Sequence, residues 1–600
     1  MKKFERISLY FLSFLHQKPT MLPMLLIIVV AMLGCAQPKE QVDVLLFNGQ
    51  VITMSNDHII AEAIAIKDGK FLAVGNSREI TRKYSGSHQE IDLQGLTVIP
   101  GIIEGHVHPI GASTSEHFEK IPDLKSIEDL LKWIQHQAQI KNSGDWIIHP
   151  KFFATRLLDM RQPSMVELDA VAPDHPVFLN GSYGGMVNTR ALRISGISSS
   201  IDHPGFIKDS ISGDLTGMIR RSAFNLLSLP PKKELSNEQQ LKDLEKLLHH
   251  YNSVGITSIC AGSGSTKDLQ MFQSLRDKSI LTARIFQNIS IPFHPKDSLN
   301  NMRAALDSLE YHTGSGDDWI RVGALKAVID GGVLTGTAYL REPWGLGAKE
   351  IYGITDPNYR GVLMLDKEQL VHMMTAAVER NWKFTSHVTG GGGVDVYLNA
   401  LEEVSQTQKV VGRRFSIIHG NFFNDQAIEK MKKLDVYADM QPAWFLKDAD
   451  LLNQVLGEDR MQTFHPYNAL MEAGIVVNGG SDHMVKLDSY KAINPYNPFL
   501  SIWSVVTRKT ERNRQYAPSE AISRPQAMAM YTINNAYASF EEDRKGSIES
   551  GKLADLAVLS DDIYNCAEEK IKDIQVVLTM VDGKIVYENE SINRLIRALE

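Results

Sequence analysis

Short apolar stretches near both ends of the chain have the spacing of β-strands. Asn48-Gly49 and Asp68-Gly69, two dipeptides typical of hairpin turns, separate the first of them. The predicted strands are 44–47, 51–54, 61–67 and 70–74, followed near the C-terminus by 554–559, 574–580 and 584–587. We expect residues 36–95 and 545–600 to build one small β-sandwich domain together.

Between the two ends, apolar strand-like runs alternate with amphipathic helices. Leu241, Leu244 and Leu248 share one helical face ahead of the apolar run 255–259. This alternation is typical of parallel strands covered by helices, and eight such strands close a barrel. The candidate strands end near His108, Cys260, Gln287, Lys326, His387, His419, Gln441 and Asp482. The pattern predicts an α/β fold, a (β/α)8 TIM-like barrel over 96–544, with an insertion or lid after strand one at about 110–231.

Composition and charge narrow the class of partner. The 600 residues carry a net charge of −8 at pH 7, and the sequence contains no run of basic residues of the kind that binds a phosphate backbone. Nucleic acid is therefore excluded as the main partner, and a small-molecule substrate is expected. Three cysteines, Cys35, Cys260 and Cys566, lack any paired spacing, which argues against a disulfide framework and against a cysteine-ligated zinc site.

The N-terminus has the layout of an export signal over residues 1–35. Lys2, Lys3 and Arg6 precede the apolar stretch 21–33, which ends in Gly34-Cys35. The end of this stretch resembles a bacterial lipobox, in which the cysteine is acylated and becomes the mature N-terminus. We expect a lipoprotein anchored to a membrane through Cys35 and facing the periplasm or the extracellular side. The alternative is an uncleaved membrane anchor.

A His-x-His pair, His106 and His108, follows the apolar run 97–103. Side chains two positions apart on a strand share a face, so both imidazoles can bind one metal ion. Enzymes with this barrel place their chemistry at the C-terminal ends of the strands, where the pair is expected. The pair alone is weak evidence, since 19 histidines in a chain of this length produce such spacings by chance.

Three more predicted strands end in residues that bind metals. His387 ends the run 384–387, His419 ends 415–419, and Asp482 follows 476–480. In isolation each histidine is more simply read as a hydrogen-bonded core residue. Together with the His-x-His pair they occupy the ends of strands one, five, six and eight, which predicts a metal site at the mouth of the barrel.

The segment Val98–His108 resembles the opening signature of the amidohydrolase superfamily, and Gly551–Leu559 resembles its C-terminal signature. Further segments, 163–176, 474–482 and 531–536, resemble the branch that contains N-substituted formamide deformylases. The resemblance covers nearly all of 44–587. It implies a metal-dependent amidohydrolase with one or two divalent ions, zinc being expected.

The resemblance also implies one more metal ligand, Lys326, at the end of strand four. A lysine in an apolar run tends to have a lowered pKa, and its neutral amine can add carbon dioxide to form a carbamate that bridges two metals. The alternative is an ion pair between Lys326 and Asp330. Asp330 and Arg508 resemble branch positions near the substrate, although each could equally be a salt-bridged structural residue.

The sequence departs from the branch pattern at positions that normally line the substrate side. Glu104 replaces the usual aspartate two residues before the first histidine, Gly390-Gly391 replaces a Gly-Asp pair, and Tyr183 replaces the usual histidine ahead of Asn188. For this reason the resemblance does not predict a specific substrate for this protein.

The expected reaction is hydrolysis of a non-peptide amide-type C–N bond by a metal-activated water, with Asp482 as the proton shuttle. An esterase or lactonase, or an isomerase, could use the same site. A non-catalytic binding lipoprotein is the alternative from another class, and loss of a ligand would favour it.

Overall fold

The computed structural model describes residues 39–55 and 60–589. The strands are β1 (Glu40–Phe47), β2 (Gln50–Ile52), β3 (Ile60–Ala61), β4 (Ala63–Lys67), β5 (Lys70–Gly75), β6 (Tyr84–Asp92), β7 (Thr97–Pro100), β8 (Ile102–Val107), β9 (Ile147–His149), β10 (Val177–Asn180), β11 (Gly184–Val187), β12 (Phe206–Lys208), β13 (Leu215–Arg220), β14 (Ile256–Gly264), β15 (Arg284–Ser290), β16 (Ile320–Val328), β17 (Phe384–Val388), β18 (Ser416–His419), β19 (Tyr437–Met440), β20 (Val477–Gly479), β21 (Leu556–Leu559), β22 (Val576–Val581) and β23 (Lys584–Glu588).

The α-helices are Ser77–Lys83, Pro109–Thr114, Ile127–Ile140, Met165–Val171, Thr189–Ile194, Asn237–Asn252, Thr266–Asp277, Leu299–Asp307, Lys349–Tyr352, Lys367–Glu379, Gly391–Ser405, Asp425–Leu434, Pro442–Leu456, Glu458–Met461, Tyr467–Glu472, Pro498–Thr507, Arg524–Met530 and Ile533–Ala538. Short 3₁₀ turns lie at Ala154–Arg156, Arg221–Leu226, Val333–Thr335, Leu346–Ala348, Pro518–Glu520 and Glu568–Asp573. Within the described ranges no helix is both long and apolar enough to cross a membrane.

Two sheets built from both ends of the chain form the predicted β-sandwich. One has the order β5-β4-β1-β6, and the other has the order β23-β22-β21-β7-β2-β3. Val44 and Ile64 of the first sheet share a buried core with Val98, Val558 and Val577 of the second. The strands β21 and β22 are buried along their whole length, because the second sheet packs on the first sheet with one face and on the barrel core with the other, through Ala557, Leu559 and Val576.

Eight parallel strands form the predicted barrel, in the order β8-β14-β15-β16-β17-β18-β19-β20. A bridge between Val107 and His483, just after β20, brings the last strand back to the first. Asp482 N donates to His106 O over 2.8 Å at the same seam. Thus the TIM-like fold is confirmed.

The helices that cover the barrel follow the predicted apolar periodicity. In Asn237–Asn252, Leu244, Leu247, Leu248 and Tyr251 are buried on one face, and a capping box begun by Ser236 starts the helix. Strand order is as predicted, while strand ends differ. β14 continues to Gly264 and β20 stops at Gly479, because hydrogen-bond pairing decides where a strand ends and apolar content alone does not indicate it.

The long connection between β8 and β14 contains a separate five-stranded sheet, ordered β12-β13-β11-β10-β9. β9 and β10 are parallel, while β11 is antiparallel to both β10 and β13. The C-terminal ends of β9, β10 and β13 and the start of β11 therefore all lie at the same end of this sheet. That end of the sheet faces the mouth of the barrel, since Lys151, Tyr183 and Arg221 line the same cavity as the barrel's strand ends.

Candidate metal centre and active site

A cavity of about 280 Å³ opens at the C-terminal ends of the barrel strands. Barrel folds place their active sites at this face. The six residues predicted as metal ligands all line it: His106, His108, Lys326, His387, His419 and Asp482. The fold therefore brings together residues spread over almost 380 positions of the chain.

His106, His108 and Asp482 form the tightest group of potential ligands. His108 Nε2 lies 3.1 Å from Asp482 Oδ1, and His106 Nε2 lies 3.7 Å from the same oxygen. One ligand atom from each of the three residues falls within 4.8 Å of the other two. The two histidine rings meet edge to face with centroids 5.3 Å apart, as expected for alternate residues on one strand face.

His387 and His419 form the neighbouring part of the site, with ring centroids 4.6 Å apart. His387 Nε2 donates to Gly331 O over 3.0 Å, which leaves Nδ1 as the nitrogen with a lone pair. His419 Nδ1 lies 2.6 Å from Gln441 Oε1, and Gln441 Nε2 donates to Asp439 Oδ1 over 2.9 Å. Because Gln441 presents its oxygen to His419, Nδ1 carries the proton and Nε2 of His419 carries the lone pair.

Burial keeps three of the four imidazoles neutral, those of His106, His387 and His419. It lowers the pKa of His387 to about 3, and it lowers the pKa values of His106 and His419 well below their usual range. Burial alone would raise the pKa of Asp482, but the hydrogen bond and charge of His108 hold it below its ordinary value. The site therefore combines three neutral imidazoles with an ionised carboxylate at neutral pH.

Lys326 lies on β16 with 6% of its surface exposed. Burial lowers the pKa of its amine to about 8, while Asp439 and Asp482 act to raise it. The alternative pairing with Asp330 is not seen. The Asp330 carboxylate instead accepts N–H groups from Thr389 at 2.8 Å and from Gly390 at 2.7 Å.

The backbone at two of the candidate ligands is strained. His419 and Asp482 have φ angles of 75° and 56°, in the left-handed region that residues with a side chain rarely adopt. Such conformations concentrate at functional sites, where the surrounding structure maintains them. Asn494 Nδ2 supports the turn at Asp482 by donating to its carbonyl oxygen over 2.6 Å.

Gly262, on β14, leaves the space that the His106 ring occupies. A Cβ atom at residue 262 would lie 2.4 Å from His106 Cε1 and 2.5 Å from His106 Nε2. No contact of that length is tolerated, so any side chain at residue 262 must move the His106 ring. A glycine is needed here for close approach and not for backbone freedom.

The insertion and the helix after β19 complete the cavity wall. The Tyr183 ring lies over His387, with centroids 5.1 Å apart, and Arg221 extends over Tyr183. The Trp444 ring stacks on His419 with centroids 4.4 Å apart and planes 13° apart. The sequence departure at Tyr183 therefore lies directly beside a candidate ligand.

Asp330 and Arg508, the suggested substrate-binding residues, do not line this cavity. Asp330 is enclosed by backbone N–H groups, and Arg508 donates to the carbonyl oxygens of Phe464, His465 and Tyr516. Both side chains hold loops in place, and contact of either with a substrate stays a prediction. Cys35, the predicted lipidation site, lies outside the described residues.

Four further residues of the site were not predicted from the sequence: Gln441, Gly262, Lys151 and Trp444. The position of Gln441 could have indicated its role, because it follows β19 directly, where a strand end of the barrel was predicted. Nothing in the sequence around Lys151 or Gly262 indicates a role in the site. Lys151 reaches the cavity only through the path of the insertion, and Gly262 acts through the space it leaves.

The residues present fit a divalent metal ion. The donor set combines neutral imidazole nitrogens with a carboxylate, a combination that suits zinc and related metals. His106 Nδ1 is fully buried and lacks a hydrogen-bond partner among the described residues. Burial of such an atom is costly unless something outside the protein chain contributes to the site.

Comparison with known proteins points the same way. Residues 89–587 match the model of the amidohydrolase family. The N-substituted formamide deformylase of Arthrobacter pascens is 26% identical over 560 residues, covering 91% of this chain and 98% of that relative. The putative amidohydrolase YtcJ of Bacillus subtilis is 26% identical over 550 residues, covering 90% and 98% respectively. The crystal structure of an uncharacterised metal-dependent hydrolase from Pyrococcus furiosus superposes with a TM-score of 0.60 at 23% identity, covering 87% of this chain and 100% of that one.

Proposed function

This chain belongs to the amidohydrolase family, and we propose that it hydrolyses a non-peptide C–N bond of a small molecule in the cavity at the mouth of the barrel. The observation that carries the proposal is the convergence of His106, His108 and Asp482 on one point of that cavity. Loss of one of these residues would have favoured a binding protein without activity, and all three are present.

His106, His108 and Asp482 would hold one divalent ion, while His387 and His419 would hold a second beside it. Zinc is the ion that these donors favour. When bound, such an ion supplies Lewis-acid chemistry, because it lowers the pKa of a water molecule to around 7 and polarises a carbonyl group.

Lys326 is proposed to be carboxylated on Nζ. Burial favours the neutral amine that reacts with carbon dioxide, and the carbamate would add an oxygen donor between the two histidine pairs. Intact-mass measurement under native conditions would detect the added 44 Da, which acid treatment should remove.

Asp482 is proposed to move the proton. Its carboxylate lies at the seam between β8 and β20 and is held by Asn494, so it is fixed in orientation. Oδ1 would accept a proton from the attacking water and deliver it to the leaving nitrogen. The products would be an acid and an amine.

The wall residues are proposed to orient the scissile group. Tyr183 stays protonated because burial raises the pKa of its hydroxyl far above neutrality, so it can donate a hydrogen bond to a substrate oxygen. Trp444 covers His419 and limits the access of water to that side.

The protein is further proposed to be a membrane-anchored lipoprotein processed at Cys35. The apolar stretch 21–33 followed by Gly34-Cys35 supports this. Mass spectrometry of the membrane fraction should find an acylated Cys35 at the N-terminus. A membrane-bound protein that retains residues 1–34 would contradict the proposal.

Metal analysis followed by a substrate panel tests the function. The purified protein should contain close to one or two equivalents of zinc, and removal of metal should abolish turnover of N-formyl and N-acyl amines. If matched esters or lactones are hydrolysed faster than every amide by the metal-loaded protein, the C–N specificity is wrong while the metal-dependent hydrolase remains.

A further inference from the structure

A second cavity, of about 370 Å³, adjoins the cavity at the mouth of the barrel. Lys151 and Phe153 line both cavities. The second cavity lies between the insertion and the loop that follows β20, which contributes Lys486. A molecule longer than its reactive group could therefore extend from one cavity into the other.

The second cavity is basic. Its lining residues include seven lysines and arginines but only two acidic residues, Asp123 and Glu511. Three of the basic residues form ion pairs with carboxylates: Arg156 with Asp448, Lys447 with Glu511, and Arg512 with Asp450. Asp123 is the one other carboxylate that lines the cavity, and it faces four further lysines: Lys125, Lys151, Lys486 and Lys491.

Two of these lysines are buried, one with only a long ion pair and the other with no ion pair to any described residue. Lys486 has 9% of its side chain exposed, and its Nζ lies 3.9 Å from Asp123 Oδ1 and 3.5 Å from Pro122 O. Lys151 donates to Ser182 Oγ and makes no ion pair with any described residue. Burial lowers the pKa of Lys151 to about 8, which leaves its ammonium mostly charged at neutral pH.

His149 adds an imidazole to the same wall. It is 1% exposed, and apart from a weak contact with the backbone of Lys151 neither ring nitrogen has a hydrogen-bond partner among the described residues. Burying such groups costs stability unless a ligand or ordered water satisfies them. An imidazole N–H and two ammonium groups that lack a short ion pair are the donors that an oxyanion requires.

We propose that the second cavity binds an anionic group of the substrate, a carboxylate or similar oxyanion, through Lys151, Lys486 and His149. The substrate class is thus an amide whose remote end carries a negative charge. This inference rests on the proposed function. Neutral amides would react at the same centre but would lack the contacts with the second cavity.

The test uses a length series of N-formyl-ω-amino acids, from glycine to 6-aminohexanoate, each paired with the N-formyl amino alcohol of the same length. On the metal-loaded protein, kcat/KM at the best length should favour the carboxylate over the alcohol by about 10- to 100-fold, the range expected for charged hydrogen bonds. The preference should fall as NaCl is raised, because salt screens the partly open cavity.

Lys486→Met should reduce that preference by about 10-fold and change kcat/KM for the alcohol little, whereas Lys486→Arg should retain most of it. Lys278→Met is the matched control. Lys278 is an exposed lysine that follows the helix Thr266–Asp277, outside both cavities, so its loss should leave the ratio unchanged. If Lys486→Met fails to fold, as judged by thermal unfolding, Lys151→Met tests the same cavity.

Equal hydrolysis of both series, or a preference that survives both lysine substitutions, would overturn the anion site and leave the proposed function standing. If no amide is hydrolysed, the anion site can still be tested by calorimetry, which compares the affinity of the protein for 6-aminohexanoate with its affinity for 6-amino-1-hexanol. Tighter binding of the carboxylate, lost in Lys486→Met, supports the site, and equal binding refutes it. Activation of neutral substrates by free inorganic phosphate would also refute it, since the cavity would then bind an effector.

Discussion

Gln441 accepts a hydrogen bond from Nδ1 of His419 over 2.6 Å and thereby decides which nitrogen of that ring faces the active site. A partner of this kind fixes the tautomer and the orientation of a metal-binding histidine.

Gln441→Met removes this acceptor. Metal affinity at the His387–His419 side should fall by about 10- to 100-fold, measured by competition with a chelator. Gln287→Met is the matched control, because Gln287 is a buried barrel glutamine whose amide donates to the carbonyl oxygens of Ala261 and Asn288. Equal losses in both variants would mean that the effect is general destabilisation.

Gly262→Ala should damage the His106 site, since the new Cβ overlaps the imidazole ring. We expect zinc affinity to fall at least about 10-fold with little change in overall secondary structure. Gly111→Ala provides the control, because a Cβ built there has no atom within 4 Å apart from its chain neighbours and the backbone of its own helix. Normal metal content in Gly262→Ala would show that the ring can move without loss.

Asp482→Asn should reduce turnover more than metal content. Asparagine keeps the shape and one coordinating oxygen but cannot accept a proton at neutral pH. Loss of general acid–base catalysis should lower kcat by about 10²- to 10⁴-fold. Near-normal turnover would exclude Asp482 as the proton carrier, and loss of all metal would make it chiefly a ligand.

Asp555 joins the sandwich to the barrel through Arg284. Arg284 Nε and Nη2 donate to the Asp555 carboxylate over 2.7 and 2.9 Å, and both side chains are buried. Asp555→Ala should lower the free energy of unfolding by about 3 kcal/mol, because it leaves a buried guanidinium with Asp582 as its remaining carboxylate partner. The urea midpoint measures this.

The exposed pair Arg303–Glu379 is the comparison for that experiment. Glu379→Ala should cost less than about 1 kcal/mol, as surface ion pairs usually do. Equal shifts of the two midpoints would contradict the structural role given to Asp555.

His465 should make the protein less stable in acid. Burial and then the charge of Arg508 hold its pKa well below 6.5, so the unfolded chain takes up a proton that the folded protein refuses. Its contribution is fully present above pH 6.5 and is lost as the pH falls, by up to about 1.4 kcal/mol per pH unit. His465→Gln should flatten the stability profile between pH 6.5 and 5 relative to the wild type, measured by urea unfolding at each pH.

The sequence was most informative where strand ends carry polar residues. His387 and His419 could be assigned to one site because apolar runs mark strands, and parallel strands of a barrel end at the same face. The Gly551–Leu559 segment could be matched to a signature but not explained. Its Asp555 acts through Arg284, 271 positions away in the chain, and no local pattern encodes that contact.

Residues that reach the site from outside the barrel could not be predicted. Lys151 and Tyr183 follow the ends of two strands of the insertion sheet, and their position depends on how that sheet packs against the barrel. Asp330 illustrates the opposite case. It follows a barrel strand as a ligand would, yet its carboxylate holds the backbone of Thr389 and Gly390.

In the described part of the chain, the five-stranded sheet of the insertion shares no strand pairing with the barrel, although one end of the sheet forms a wall of the cavity. Bond-breaking groups and recognition groups therefore stand on separate frameworks. Mutations in 147–221 could change which amides enter without moving any candidate ligand. New substrate preferences could arise in this protein by exchange of that sheet's turns alone, while the chemistry stays as it is.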